Sequence, residues 1–218
     1  MTDAIGVLIV DDHAVVRRGV RSLLESHDGW EVCGEATTGR DAVEQSRRLR
    51  PDVVVMDLSL PELNGLDATR QILKEAPDTE VLVLTMHHSE ELARDVLQAG
   101  ARGYVLKSDA DENLITAVDT LRQHKPFLTS VVTEFVLGNY VRLGDAALDD
   151  LGSGAVTARE REIIQLVAEG QSSKAAASTL GISVKTIEAH RANIMRKLHL
   201  RSVSDLVRYA IRNKIVQP

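Results

Sequence analysis

Five residues with the right types for phosphate chemistry sit at the ends of short apolar runs. Asp11 and Asp12 close the run 7–10, Asp57 follows 53–56, Thr85 ends 81–85, and Lys107 follows 103–106. Three carboxylates brought together repel one another, and a divalent cation relieves that repulsion. Oxygen-only ligands favour Mg2+, which keeps several waters and takes few carboxylates plus a phosphate. The cation also neutralises charge on an incoming phosphoryl group, so that one carboxylate can act as a nucleophile toward phosphorus. Lys107 supplies a mobile positive charge for the new phosphate, and Thr85 a hydroxyl donor. Each residue also has a bland reading. Asp12 could cap the first helix, Thr85 could cap a later one, and Lys107 could be solvated. Taken singly, the bland readings are preferred; their recurrence at successive strand ends favours the chemistry.

A second set lies toward the C-terminus, in a helical pattern over 184–198. Ile187, Ile194 and Leu198 fall at i, i+7 and i+11 and form an inward face. Lys185, Glu188, Ala189, Ala192 and Arg196 form another, with two alanines near its middle. Small side chains let a helix backbone approach the floor of the DNA major groove. Arg191, Arg196 and Lys197, with Lys174 and Arg201, are available to phosphates, and the Thr186 hydroxyl lies near the helix N-terminus. The competing reading is a solvated amphipathic helix in a small bundle.

The elements that must position these residues follow from hydropathy. Val7–Val10, Val53–Met56 and Val81–Thr85 are β-branched runs apolar at consecutive positions, as strands buried on both faces require; Glu31–Ala36 and Gly103–Leu106 are weaker runs. Helical spacing follows the first, third, fourth and fifth strands, as in Val15, Val16, Val20, Leu23 and Leu24, and again in Leu114, Ile115, Val118 and Leu121. Five β-then-α units predict a (βα)5 doubly wound parallel sheet with helices on both faces. All strand C-termini then lie on one edge, where the five residues can converge. Residues 126–152 lose the alternation; 128–143 could form a helix capped by Thr129 or Ser130, and 144–154 reads as a linker. From Thr157 the chain reads as all-helical. Thr157 and Glu160 make a capping box, Gly170 ends that helix, Ser172 or Ser173 and then Ser183 cap the next two around a turn at Gly181, and Ser202 with Asp205 caps the last.

Composition bounds the partners. The chain has 218 residues, 44% hydrophobic and 27% charged, which excludes a mainly disordered chain. One cysteine, Cys33, excludes an internal disulfide and a Cys-rich zinc module. The N-terminus lacks a basic flank, and no apolar run approaches the ~18 residues of a membrane span, so a cytoplasmic, membrane-free protein is expected. The net charge of −6 is uneven. Residues 1–125 hold 14 Lys+Arg against 23 Asp+Glu, residues 126–152 hold 1 against 4, and residues 153–218 hold 11 against 5. An acidic body joined to a basic tail suggests two tasks, the second on a polyanion.

Residues 1–124 resemble the receiver domain of bacterial two-component response regulators through VDDH at 10–13, MDLSLPELNG at 56–65, VLTMH at 83–87 and GYVLKSD at 103–109. The resemblance implies that Asp57 accepts a phosphoryl group from a histidine kinase. It also implies that Asp11 and Asp12 bind Mg2+ with Asp57 and the backbone carbonyl of Ser59. Thr85 and Lys107 contact the phosphoryl group in this reading, and Tyr104 is the aromatic switch coupled to Thr85. Ser108 departs from the proline that many receivers carry after this lysine. Residues 125–152 are then a linker, and 153–218 resemble the LuxR-type helix-turn-helix domain of the NarL/FixJ class, through VTAREREIIQLVAEG at 156–170 and LGISVKTIEAHRANIMRKLHLRS at 180–202. That implies a recognition helix with Lys185, Glu188, Ala189 and Ala192 facing bases, and Thr186, Arg191, Arg196 and Lys197 near the backbone. It implies a homodimer when phosphorylated, through Val207, Ala210 and Ile211, on double-stranded promoter DNA, with RNA polymerase a further candidate partner. Ala176 stands where the class often has Ile, which predicts a weakened core. Glu188 stands where many relatives have a base, which predicts weak non-specific affinity and a cytosine preference.

The expected protein is a phosphorylation-gated transcription regulator and not an enzyme beyond its own phosphorylation and dephosphorylation. A phosphorylation-independent DNA-binding regulator and a receiver-type phosphate sink are the alternatives. A dehalogenase-type phosphatase needs a second Asp where Ser59 stands. A small-molecule-sensing regulator needs an aromatic pocket, yet the first 125 residues hold only Trp30 and Tyr104 of the aromatics. His13, His87 and His88 read as solvated loop residues.

Overall fold

The computed structural model describes residues 4–86, 89–129 and 156–216. The chain divides into two compact units, an N-terminal α/β unit and a C-terminal helical one.

The first unit runs β1 (Ile5–Val10), α1 (Ala14–Glu25), β2 (Trp30–Ala36), α2 (Gly39–Leu49), β3 (Val53–Met56), α3 (Gly65–Glu75), β4 (Glu80–Thr85), α4 (Glu90–Gln98), β5 (Gly103–Leu106), a 3-10 turn (Lys107–Asp109), α5 (Ala110–Leu121) and β6 (Phe127–Leu128). The strands lie in the order β2-β1-β3-β4-β5-β6, and every pair is parallel. The five expected strands are present. The sixth arises because the chain after α5 returns along the edge of β5, with the Phe127 N–H donating to the Arg102 carbonyl at 2.9 Å and Tyr104 opposite Leu128. Leu128, expected to begin a helix, therefore belongs to the sheet. From Ser130 that expected helix lies outside the described residues, as do His87 and His88.

Period-two alternation divides the strand side chains between two layers. Val7, Ile9, Val53, Val55, Leu82, Leu84 and Val105 form one buried cluster with Val20 and Leu24 of α1 and Leu114, Ala117, Val118 and Leu121 of α5. Leu8, Val10, Val54, Met56, Val81 and Val83 are also buried, which explains why these strands read as continuous apolar runs. The strand order reverses between β1 and β3, so the ends carrying Asp11 and Asp57 flank the switch point, where α/β sheets hold ligands.

The second unit contains α6 (Ala158–Ala168), α7 (Ser173–Leu180), α8 (Val184–Lys197) and α9 (Val203–Arg212). Each start has the expected cap. Thr157 and Glu160 form a reciprocal capping box, and the Ser172, Ser183 and Ser202 side chains accept from the N–H three residues on. Gly181 turns between α7 and α8 at φ +63°, a conformation that costs glycine least. Ile163, Ile164, Leu166, Ala176, Ala177, Leu180, Ile187, Ile194, Leu206, Ala210 and Ile215 make the core. Ala176 is fully buried, and the cavity of about 210 Å3 under α8 is lined by Ile163, Val167, Ile194, Met195 and Leu206 rather than by Ala176.

Candidate functional site

The acidic pocket is assembled from loops at the carboxyl edge of the sheet. Backbone bonds extend the strands into it: the Asp11 N–H donates to the Ala36 carbonyl at 3.1 Å, and the Asp57 N–H to the Val10 carbonyl at 2.8 Å. Asp11 and Asp57 are 2% and 3% exposed. Burying two carboxylates without compensation is costly, and Lys107 supplies that compensation. Its ammonium, also buried, lies 2.6 Å from Asp11 Oδ2 and 2.9 Å from Asp57 Oδ2. Asp57 Oδ1 accepts the Leu58 N–H at 2.7 Å. Lys107 is therefore not a solvated residue. Asp12 and Thr85 do not cap helices either. His13 occupies the N-cap of α1, and Ser89 caps α4.

One ammonium shared by two carboxylates leaves the pocket short of positive charge. Burial pushes the Asp57 carboxyl above its usual range, against the opposing pull of Lys107 and with a further push from Asp11. Burial pulls the Lys107 ammonium down, but its bonds to Asp11 and Asp57 outweigh that and leave it raised. Asp11, Asp12, His13 and Asp57 each present one ligand atom, all within 4.8 Å of one another. Asp11 Oδ2 is buried with no well-aligned hydrogen-bond donor. Clustered carboxylate oxygens with a surplus of negative charge fit a hard divalent cation. Ser59, the expected carbonyl ligand, lies half-buried two residues beyond Asp57.

Gly65 holds this loop closed. Its N–H donates to the Leu58 carbonyl at 3.0 Å, and a Cβ here would stand 2.0 Å from the Asp57 carbonyl oxygen. Only glycine permits that approach. Thr85 and Tyr104 are both buried at the adjoining strands, and burial pushes the Tyr104 phenol up to about 12. Lys107 and Ser108 open the 3-10 turn, and no described peptide bond is cis.

His13 is the residue that sequence reasoning set aside. Its Nδ1 lies 2.6 Å from Asp12 Oδ1 and 3.3 Å from Asp11 Oδ1. Adjacency to the acidic pair was the available signal.

On α8 the outward and inward faces fall as expected. Ile187 and Ile194 are buried; Lys185, Thr186, Glu188, Ala189, Ala192, Arg196 and Lys197 are exposed. Several polar groups of this face are bonded within the unit. Arg191, half-buried, donates to Ser173 Oγ at 2.8 Å, and the Thr186 and Ser183 hydroxyls bond at 2.8 Å. Arg196 donates to Asn193 Oδ1, and Lys197 to Glu160 Oε2, each at 2.8 Å. The dimer face needs correction. Ala210 is fully buried in the unit's own core and cannot meet a partner, whereas Val203 and Ile211 are 47% and 36% exposed, with Val207 half-buried between them. Val203, Val207 and Ile211 recur every four residues along one stripe; Ala210 falls within about 20° of Val203 on the same helix, so packing into the unit's own core, and not the period, removes it from the exposed set.

Comparison with known proteins gives the same two parts. Residues 7–119 match the response regulator receiver domain, and residues 155–210 match the luxR family of bacterial regulatory proteins. The chain is 39% identical to the oxygen regulatory protein NreC of Staphylococcus epidermidis, over 97% of this chain and 99% of the relative. It is 41% identical to NreC of Staphylococcus carnosus, over 96% and 98%. Among solved structures, the Salmonella typhimurium response regulator RcsB is similar with a TM-score of 0.59 at 27% identity, covering 95% of this chain and 98% of that one. The response regulator ChrA of a heme-sensing two-component system is similar with a TM-score of 0.52 at 31% identity, covering 98% and 100%. A complex of RcsB with DNA is similar with a TM-score of 0.57 at 27% identity, covering 94% and 96%.

Proposed function

The chain belongs to the two-component response regulators that join a receiver to a LuxR-type DNA-binding domain, and from that membership we propose that phosphorylation of Asp57 by a histidine kinase controls its binding, as a dimer, to promoter DNA. The observation that carries this reading is the buried Asp11–Lys107–Asp57 bridge at 2.6 and 2.9 Å. It holds a carboxylate nucleophile beside an ammonium placed to receive the charge of a phosphoryl group.

In the proposed transfer, an Asp57 carboxylate oxygen forms the new P–O bond while the P–N bond of a phosphohistidine breaks, and the histidine nitrogen keeps the electron pair. Asp11, Asp12, Asp57 and the Ser59 carbonyl would hold Mg2+, which neutralises charge on the phosphoryl oxygens. Lys107 leaves Asp57 to meet the new phosphate, which carries about two negative charges where the carboxylate carried one. Thr85 donates its hydroxyl to the same group, and Tyr104 lies buried in the adjoining strand, opposite Val83. A groove of about 570 Å3 between α1 and α5 reaches Lys107 and is lined by Val16, Val20, Leu23, Leu84 and Met86. An apolar face this close to Asp57 suits the docking of a kinase. No helix among the described residues is long and apolar enough to cross a membrane.

On the DNA side, Lys185, Glu188, Ala189 and Ala192 would face base edges, with Arg196 at phosphates. The Val203–Val207–Ile211 stripe would pair two copies over two half-sites. Contact with RNA polymerase would follow on the promoter. The test is intact mass after incubation with Mg2+ and a small acyl-phosphate donor, followed by operator binding. One added phosphoryl group on wild type, none on Asp57→Asn, and tighter operator binding by the phosphorylated protein are expected. Equal operator binding with and without phosphate would refute the gating.

A further inference from the structure

One edge of the His13 imidazole lies against the carboxylate oxygens of the pocket, while much of the ring stays in solvent. It occupies the N-cap of α1 but makes no side-chain capping bond, and it is absent from the apolar core. The His13 N–H donates to Asp11 Oδ1 at 2.8 Å, a tight local turn that sets the ring over the acidic pair. Nδ1 then lies 2.6 Å from Asp12 Oδ1 and 3.3 Å from Asp11 Oδ1. Lys107 engages the opposite oxygens, Asp11 Oδ2 and Asp57 Oδ2. The two nitrogen-bearing side chains thus divide the carboxylate oxygens between them, the imidazole on the Oδ1 side and the ammonium on the Oδ2 side.

Those separations have the scale of neighbouring ligands on one ion. With metal–ligand bonds of about 2.1 Å at right angles, adjacent donor atoms stand about 3 Å apart. The ring is 65% exposed, so it can shift by a few tenths of an ångström to take up a ligand position without disturbing the core. An imidazole added to carboxylates also changes what the pocket prefers. Carboxylate, carbonyl and water suit Mg2+, whereas imidazole nitrogen suits the later first-row cations, whose affinity for a given site rises beyond Mn2+.

Resting on the reading of this pocket as a divalent cation site, we propose that His13 is a nitrogen ligand to the cation. The pocket consequently binds divalent transition cations, with Mn2+ and Co2+ as its probes, more tightly than its carboxylates alone would, while Mg2+ binding rests on the carboxylates.

The test uses the full chain and three proteins: wild type, His13→Ala, and His13→Ser, which restores a capping hydroxyl to α1 should the alanine variant fold poorly. Pulsed EPR of bound Mn2+ reads a directly coordinated nitrogen as 14N modulation, and calorimetry gives Kd for Mn2+, Co2+ and Mg2+. Wild type is expected to show 14N coupling and both variants none. The variants should weaken Mn2+ and Co2+ at least about tenfold while leaving Mg2+ within about twofold, in line with the loss of one ligand from a transition-metal set. Mn2+ bound one per chain without 14N coupling, or with the same Kd in all three proteins, overturns His13 as a ligand and leaves the cation site standing. Failure of every divalent cation to bind wild type overturns the cation site itself, and this proposal with it.

Discussion

Replacing Asp57 by Asn should stabilise the receiver in the absence of divalent cations, although it breaks a buried ion pair. At an effective dielectric of about 20, the Lys107–Asp57 contact at 2.9 Å is worth about 6 kcal/mol. Against it stand the neighbouring carboxylates, with ligand atoms within 4.8 Å, which at the same dielectric repel by at least about 3.5 kcal/mol for Asp11. The burial of an ionised carboxylate costs several kcal/mol more. The balance favours asparagine by about 2 kcal/mol. Lys107 is not orphaned, because Asp11 remains 2.6 Å away, and the amide oxygen can still accept the Leu58 N–H. The sign agrees with the titration. Burial raises the folded pKa of Asp57 above its ordinary 3.8, so the ionised form costs stability above the folded pKa. That cost disappears as pH falls through it, and the advantage of Asn should be gone below 3.8. Trp30 is the chain's one tryptophan and is buried in β2, stacked on His27 at 4.2 Å. Its fluorescence during urea unfolding therefore reads the receiver alone in the full-length protein. A lower urea midpoint for Asp57→Asn than for wild type in chelator would refute the reasoning, since the ion pair would then outweigh crowding and burial.

Gly65→Ala should unfold the Asp57 loop or cost more than about 4 kcal/mol, because the new Cβ meets backbone, the Asp57 carbonyl oxygen at 2.0 Å and Leu58 Cα at 2.8 Å; Trp30 fluorescence and phosphoryl incorporation both read it. Glu160→Gln should cost the helical unit about 1 kcal/mol in thermal melts followed by circular dichroism. Lys197 and the Thr157 N–H hold the Glu160 carboxyl below its ordinary 4.5, so its contribution is present above that pH and lost as pH falls through the depressed folded value. Glu188→Ala should tighten binding to random DNA, since it removes a charge that repels phosphates, and should blur selectivity for cytosine. Salt titrations on random and operator sequences check both effects, and no change in either would mean that this face does not meet DNA.

Much of the pocket was legible because a parallel sheet obeys a simple rule. Each βα unit returns its strand in the same direction, so residues following successive apolar runs end on one edge. Asp11, Asp57 and Lys107 needed no more than that. The helix starts at Thr157, Ser172, Ser183 and Ser202 were equally readable, since a cap is a contact between neighbours in sequence. The sixth strand was not, because Phe127–Leu128 is too short for a pattern and gains its bonds only from the open edge of β5.

The sequence by itself determined which residues share a sheet edge or a helix face, because strand and helix periods are local properties of the backbone. Only the tertiary structure decided what each face meets. It set Lys107 between two carboxylates and turned the His13 ring onto Asp12. It also bonded Lys197 to Glu160, 37 residues away, and buried Ala210 while leaving Val203 exposed. These outcomes depend on distances between elements far apart along the chain. Close packing sets those distances for the whole unit at once, and no window of sequence contains them.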